Sequence, residues 1–237
     1  MEFTKRSSIN LDSSQTKYDE GLRVFFLNVY KFMFMALLLT GVVAYGVASS
    51  PTLLNAIFGT PLSWVVMLAP LGMVFYISSR IMHMSVAGAQ LSFWIFAGLM
   101  GMSLSTIFIA YTTASIAKVF FITSSTFGVM SIYGYTTKKD LTSMGSFLIM
   151  GLFGIIIASL VNLFLKSPAI DFVVSLLGVG IFTGLIAYDT QKLKRMYYQL
   201  AGAGEMISKV AIFGALNLYL DFINLFLMLL RLMGDRR

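Results

Sequence analysis

The chain has 237 residues, of which 58% are hydrophobic and only 11% are charged. Soluble domains are nearer half apolar and a quarter charged, so this composition predicts a polytopic membrane protein and leaves no room for a sizeable soluble domain. The formal net charge is +7, but the basic residues stand singly or in short groups between apolar runs, which argues against a nucleic-acid-binding face.

The first 20 residues are polar and contain no apolar segment of the kind found in a signal peptide, which predicts a cytoplasmic tail over residues 1–20. Leu22, Phe25, Phe26 and Val29 then follow at helical spacing, which predicts an interfacial lead-in helix continuous with the first span.

Apolar runs of roughly 20 residues, the length needed to cross a bilayer, recur down the rest of the chain. The predicted spans are 27–49, 62–80, 87–111, 116–136, 142–165, 172–192 and 209–232. The segment "SSPTLLNAIFGTP" is predicted as an uncharged break between the first two spans. The fold class is therefore all-α, with one membrane domain over residues 21–233 and a short basic tail over residues 234–237.

Lysine and arginine are more numerous on the side of the predicted spans that holds the N-terminus, which predicts a cytoplasmic N-terminus. The absence of cysteine rules out disulfides and thiolate chemistry, and it is compatible with a bacterial inner membrane. Arg231, Arg236 and Arg237 fall on the opposite side if the last span crosses fully. A re-entrant last segment is therefore an alternative to a full seventh crossing.

Two acidic residues lie within predicted spans, whereas the other acids occupy tails, loops or span ends. Asp189 is near the cytoplasmic end of span six, and Asp221 is well inside span seven. A carboxylate at the centre of a membrane helix costs about 2.5 to 3.5 kcal/mol on insertion scales, so such residues usually face a partner, a cavity or an ion path. We therefore predict that both are functional, the alternative being hydrogen bonding to neighbouring helices alone.

The face of span seven that carries Asp221 also carries Asn217 and Asn224, which predicts a polar lining of a hydrated interior. If Asp189 and Asp221 meet, they cannot comfortably both be charged, and they are expected to share a proton. Calcium, which prefers oxygen ligands, would compete with that proton for the same two carboxylates. The pair is thus a candidate pH sensor, ion path and calcium site.

Arg80 ends span two, where it either snorkels to the cytoplasmic surface or reaches an aspartate and latches the bundle closed. Enzymatic activity is not expected. An intramembrane aspartyl protease would carry a GxGD motif around its second acid and a later "PAL" motif, whereas the second acid here lies in "LYLD" and no "PAL" follows.

Four ordered segments resemble the Bax inhibitor-1 family in its bacterial, YccA-like branch. They are "LRVFFLNVYKFMFMALLLTGVVAY", "YGYTTKKDLTSMGSFLIMGLFGIIIASLVNLFL", "FTGLIAYDTQKLKRMY" and "LYLDFINLFLMLLR". The resemblance runs from about residue 21 to residue 233.

The resemblance implies a seven-helix bundle with the last helix at its centre, acting as a pH-sensitive calcium leak without a cofactor. It implies that Asp189 and Asp221 form a di-aspartyl sensor and that Arg80 is the latch. The chain between the two aspartates is longer than in the characterised bacterial calcium-leak member, which leaves open whether they touch. Some relatives instead regulate a membrane-anchored ATP-dependent (AAA) protease or restrain cell death, and residues 1–20 are the segment such a partner would hold.

Overall fold

The computed structural model describes the backbone of residues 2–200 and 203–237 and the side chains of residues 20–200 and 203–237. Within these ranges the secondary structure is α-helical, apart from one isolated β-bridge. The helices are α1 (Glu2–Ala48), α2 (Pro51–Phe58), α3 (Leu62–Arg80), α4 (Val86–Leu104), α5 (Ile107–Ala110), α6 (Thr113–Thr136), α7 (Thr142–Leu165), α8 (Pro168–Gln199) and α9 (Gly204–Met233). The predicted all-α fold is confirmed.

Among the described residues, seven helical segments are long and apolar enough to cross a membrane, and they match the predicted spans in order. The spans at 62–80 and 142–165 agree with α3 and α7 at both ends, and α4 with α5 makes up the third span. Side-chain caps define two of the helix starts, because Ser85 accepts the Gly88 N–H and Thr112 accepts the Ser115 N–H.

The segment between the first two spans is not a simple break, because it contains the short helix α2. Ser50 caps this helix by accepting the Leu53 N–H, and Pro51 occupies the first turn, where its missing N–H costs no hydrogen bond. Ile57 is buried against Val47 and Val66. The proline that suggested a loop is thus a helix-starting residue.

Helix α9 forms the centre of the bundle. In the most apolar stretch of α9, 72% of the residues are buried. In the corresponding stretch of every other span, 33% of the residues or fewer are buried. It packs against α1, α4, α6 and α8. A helix that is apolar around its whole circumference is stable only when neighbours surround it, and the predicted central position of the last helix is confirmed.

The lead-in to the first span is helical, as predicted, but it is not interfacial. Leu22, Phe25, Phe26 and Val29 are each at most 4% exposed. The Phe25 ring lies 5.2 Å from that of Tyr197, so this face is buried within the bundle. The predicted tail, residues 1–20, lies outside the described side chains except for Glu20, and it stays a prediction.

The C-terminal segment crosses the whole bundle, so the re-entrant alternative is wrong. Helix α9 is continuous, and the residues after it contact the connection between α5 and α6, at the end opposite the start of α9. Thr112 donates its N–H to the Asp235 carbonyl, Arg237 donates its N–H to the Ala110 carbonyl, and Asp235 donates its N–H to Ser115 Oγ at 2.8 Å. The basic tail is thus held by backbone hydrogen bonds.

The connection between α6 and α7 is bonded to the C-terminal part of α8. Gln191 accepts the Leu141 N–H and donates to the Lys139 carbonyl, and Arg195 pairs with Asp140 at 3.0 Å. The pKa of the Asp140 carboxyl group lies below its ordinary value. The largest cause is the hydrogen bond from the Thr142 hydroxyl, followed by that from the Thr142 N–H and by the nearby Arg195. This exposed carboxylate therefore stays ionised at neutral pH and is not a source of pH sensitivity there.

Candidate functional site

Two glycines set the register of the antiparallel helices α8 and α9. A Cβ atom on Gly178 would lie 2.9 Å from the Met228 side chain, and one on Gly214 would lie 2.6 Å from the Leu193 side chain. These contacts lie on either side of Asp189 along α8 and on either side of Asp221 along α9. The two helices therefore approach closely above and below the aspartates.

Within this register the carboxyl groups of Asp189 and Asp221 lie within hydrogen-bonding distance of each other. The Asp221 residue is 6% exposed, and Asp189 is partly buried. The long stretch of chain between them does not separate them, because α8 continues to Gln199 and α9 begins at Gly204. Most of that stretch extends two packed helices toward one end of the bundle.

The contact between the two carboxyl groups has a definite chemical requirement. Ionised carboxylates only accept hydrogen bonds, so the pair attracts only when a proton lies between the two groups. Asp221 Oδ2 is buried and has no hydrogen-bond partner among the described residues. Because a buried, unpaired charge is costly, the pair is suited to holding a proton and to releasing its contact when the proton count changes.

Lys192 is near enough to both carboxyl groups to act on them electrostatically, although it forms a salt bridge with neither. It follows Asp189 by three residues on α8, a spacing that places both side chains on one face of the helix. Its ammonium group also lies 5.9 Å from the centre of the Tyr188 ring. From the sequence, Lys192 is predicted only to mark the end of a span, although its spacing from Asp189 is the signal for this role.

The structure does not bring Arg80 to either aspartate. Arg80 is exposed at the end of α3 and makes no salt bridge with a described residue. Helix α3 packs mainly on α2 and α4, at the edge of the bundle, so its end is remote from the α8–α9 contact. The predicted latch is therefore not engaged in this structure.

The side-chain amides of Asn217 and Asn224, which the sequence predicts to line the interior, differ in their hydrogen bonds. Asn224 donates Nδ2 to the Leu220 carbonyl of its own helix at 2.8 Å, which occupies one amide proton locally. Asn217 is partly buried, and its side chain has no hydrogen-bond partner within the described ranges. Of the two, Asn217 retains more capacity to contact a hydrated interior.

A second polar cluster in the bundle joins α1, α4 and α9, and the sequence did not predict it. Thr40 Oγ1 donates to the Ala97 carbonyl at 2.9 Å and lies 2.8 Å from the Tyr219 hydroxyl. Tyr219 is fully buried, with its ring 5.2 Å from that of Phe96. A threonine in one span and a tyrosine in another do not reveal their contact without the packing of the helices.

The Thr40–Tyr219 hydrogen bond predicts unequal effects of its two deletions. Tyr219→Phe leaves Thr40 bonded to Ala97 and is expected to cost about 0.5–1.5 kcal/mol of stability. Thr40→Val leaves the buried Tyr219 hydroxyl unpaired and is expected to cost more, about 1–3 kcal/mol. Thermal unfolding of the two variants in the same detergent measures the difference, and the reverse order would contradict this hydrogen-bond assignment.

The two carboxyl groups of the aspartate pair are too few to hold a divalent cation tightly by themselves. The described part of the chain contains no group of three or more acidic, histidine or cysteine side chains that could hold a metal ion. Calcium takes six to eight oxygen ligands, and two carboxylates supply about four at most. Calcium at this position would therefore depend on water or backbone oxygens for the rest of its shell.

Comparisons with known proteins agree with the fold. The family model described as inhibitor of apoptosis-promoting Bax1 matches residues 22–237. An uncharacterized protein of Rickettsia prowazekii, RP147, is 52% identical over 237 residues, covering 100% of this chain and 99% of its own length. The inner membrane protein YbhL of Escherichia coli is 46% identical over 219 residues, covering 92% of this chain and 94% of its own length.

These similarities span the whole membrane domain rather than a single motif. Together with the seven membrane-spanning helices, the similarity to YbhL supports the predicted multi-pass inner-membrane location. The chain belongs to the Bax inhibitor family, in its bacterial branch.

Proposed function

We propose that this protein is a pH-sensitive passive leak for cations, suited to calcium, in which Asp189 and Asp221 form the gate. The observation that supports the proposal is the contact between their carboxyl groups at the packed junction of α8 and the central helix α9. The activity requires no cofactor and no covalent chemistry.

The gate responds to the number of protons on the pair. With one proton the pair is held together by a hydrogen bond, and its remaining negative charge attracts Lys192. Full protonation removes that charge and with it the electrostatic attraction to Lys192, and it allows α9 to shift. Two other basic side chains near this end have partners of their own, because Lys194 donates to the Tyr135 carbonyl and Lys209 pairs with Glu205.

Cavities lie on both sides of the pair along α9. One, of about 380 Å³, is near the start of α9 and is lined by polar groups that include Asn28 and Ser208. The other, of about 270 Å³, lies beyond Asp221, where Phe120, Phe222 and Phe226 give it mostly apolar walls. Apolar constrictions block ions until they become wet, so we assign this structure to the closed state of the leak.

Calcium flux in proteoliposomes tests the proposal. We expect wild-type flux to rise as the pH falls from about 8 to about 6, and Asp189→Asn with Asp221→Asn to remove that dependence. Asp235→Asn, which changes an exposed acid beyond the far end of α9, is the matched control and should behave as wild type. Unchanged flux and unchanged pH dependence in the double variant would rule out the aspartate gate.

Two further variants distinguish the candidate cations. Lys192→Gln removes the charge that acts on both carboxyl groups, and it is expected to alter the pH midpoint of flux. Arg80→Gln tests the latch implied by family resemblance. A change in the midpoint with Arg80→Gln alone would favour the latch over the Lys192 arrangement.

A further inference from the structure

A polar cavity of about 430 Å³ lies where α7, α8 and α9 meet, at the end of the bundle that holds the C-terminus. It is remote from the aspartate pair, and none of the activity described above uses it. Its lining includes Asn162, Lys166, Asp171, Ser175, Arg231 and Arg236. We propose that this cavity binds a phosphate group, carried by the headgroup of an anionic phospholipid.

The charges that line the cavity favour an anion. Lys166, Arg231 and Arg236 contribute three positive charges, and Asp171 contributes one negative charge. Arg231 Nη1 lies 3.7 Å from Asp171 Oδ1, and both side chains are 42% exposed, so the pair is loose and the guanidinium retains free donors. Arginine and lysine together match the oxygens of a phosphate.

Ser175 supplies an independent indication of a ligand. Its residue is 1% exposed, and its Oγ has no hydrogen-bond partner among the described residues, although it lines the cavity. Several other hydroxyls in this protein's membrane helices donate to the carbonyl four residues earlier, as Thr190 does to Ile186 at 2.7 Å, whereas the buried Ser131 Oγ also has no partner among the described residues. Ser175 thus keeps an unpaired hydroxyl buried directly beneath the cavity wall.

The backbone at the same cavity adds further donors. Helix α8 begins here, and its N-terminus carries unpaired N–H groups and a partial positive charge that favour anions. The Ser167 N–H donates to Asn162 Oδ1 at 2.9 Å, which orients the Asn162 amide. The Asn162 NH₂ group has no acceptor among the described residues and adds a donor beside Lys166.

The surroundings favour a lipid as the source of the phosphate. Phe164 is 88% exposed and Phe172 is 58% exposed, beside the cavity at the ends of two membrane helices. Exposed phenylalanine rings face the acyl chains, so the charged cavity beside them lies at the edge of the hydrocarbon region of the bilayer. A phosphodiester at that level can enter the cavity while its acyl chains stay in the bilayer.

Binding to the purified full-length protein in detergent tests the inference by native mass spectrometry and thermal shift. The probes are dioctanoyl phosphatidylglycerol, dioctanoylglycerol with the same chains but no phosphate, and inorganic phosphate. Arg231→Gln is combined with Asp171→Asn so that no partner is left unpaired, and Ser175→Ala is a milder second variant. Lys118→Gln, an exposed basic residue outside the cavity, is the control.

We expect saturable binding of phosphatidylglycerol that weakens at least about tenfold in the Asp171/Arg231 variant and measurably in Ser175→Ala, but not in Lys118→Gln. Dioctanoylglycerol should show no dependence on these variants. Displacement of the lipid by millimolar inorganic phosphate would identify free phosphate as an alternative source of the same chemistry. Phosphatidylglycerol binding that is equal in all variants, or absent from the wild type, would overturn the inference.

Discussion

Replacement of Asp221 alone by asparagine is expected to leave calcium flux with a weaker pH dependence and a shifted midpoint, because Asp189 remains as the titrating group of the gate. The side-chain amide that this substitution introduces could donate to the Asp189 carboxylate in place of the shared proton, so α8 and α9 stay in contact until Asp189 itself is protonated. The helix packing set by Gly178 and Gly214 is unaffected. Flux between about pH 6 and pH 8 in proteoliposomes is the measurement, with protein stability recorded in parallel.

The single variants must also be coupled if the carboxyl groups act as one unit. Asp189→Asn alone is expected to resemble Asp221→Asn alone, because each leaves one titrating carboxyl group, whereas the double variant should lose the pH dependence that both single variants keep. A single variant that keeps the wild-type midpoint and steepness of flux would show that the two aspartates act independently. That result would contradict a gate formed by their contact even if each residue proved important.

The second large effect is expected at Gly134, where α6 crosses α8. A Cβ atom there would collide with the backbone carbonyl of Ala187, which cannot rotate away as a side chain can. Gly134→Ala is therefore expected to destabilise the protein by about 1–3 kcal/mol. Since Ala187 lies two residues before Asp189, any shift of α8 that relieves the collision should also change the calcium flux.

Gly128 provides a matched control on the same helix. A Cβ atom on Gly128 would meet nothing within 4 Å, so Gly128→Ala should be neutral or slightly stabilising. Thermal unfolding in detergent compares the two variants directly. Equal unfolding temperatures would mean that the α6–α8 approach is not as close as the structure has it.

The amino-acid sequence was sufficient to predict the fold class, the spans and the two intramembrane carboxylates. Membrane spans are readable because each needs a run of apolar residues as long as the bilayer is thick. Asp189 and Asp221 are conspicuous because an acid inside such a run is costly. The short helix α2 was not predicted, because proline favours the first turn of a helix but disrupts a helix interior, and the sequence alone did not show which position Pro51 occupies.

Only the tertiary structure decided which residues meet. It joined Asp189 to Asp221 across α8 and α9, placed Lys192 within electrostatic reach of the pair, left Arg80 exposed at the end of α3, and carried the C-terminus to the α5–α6 connection. Hydropathy depends on residues near one another along the chain, so it predicts which segments enter the bilayer. Contacts between helices depend on the shapes of both surfaces, such as the space left by Gly178, Gly214 and Gly134, and no single segment contains that information.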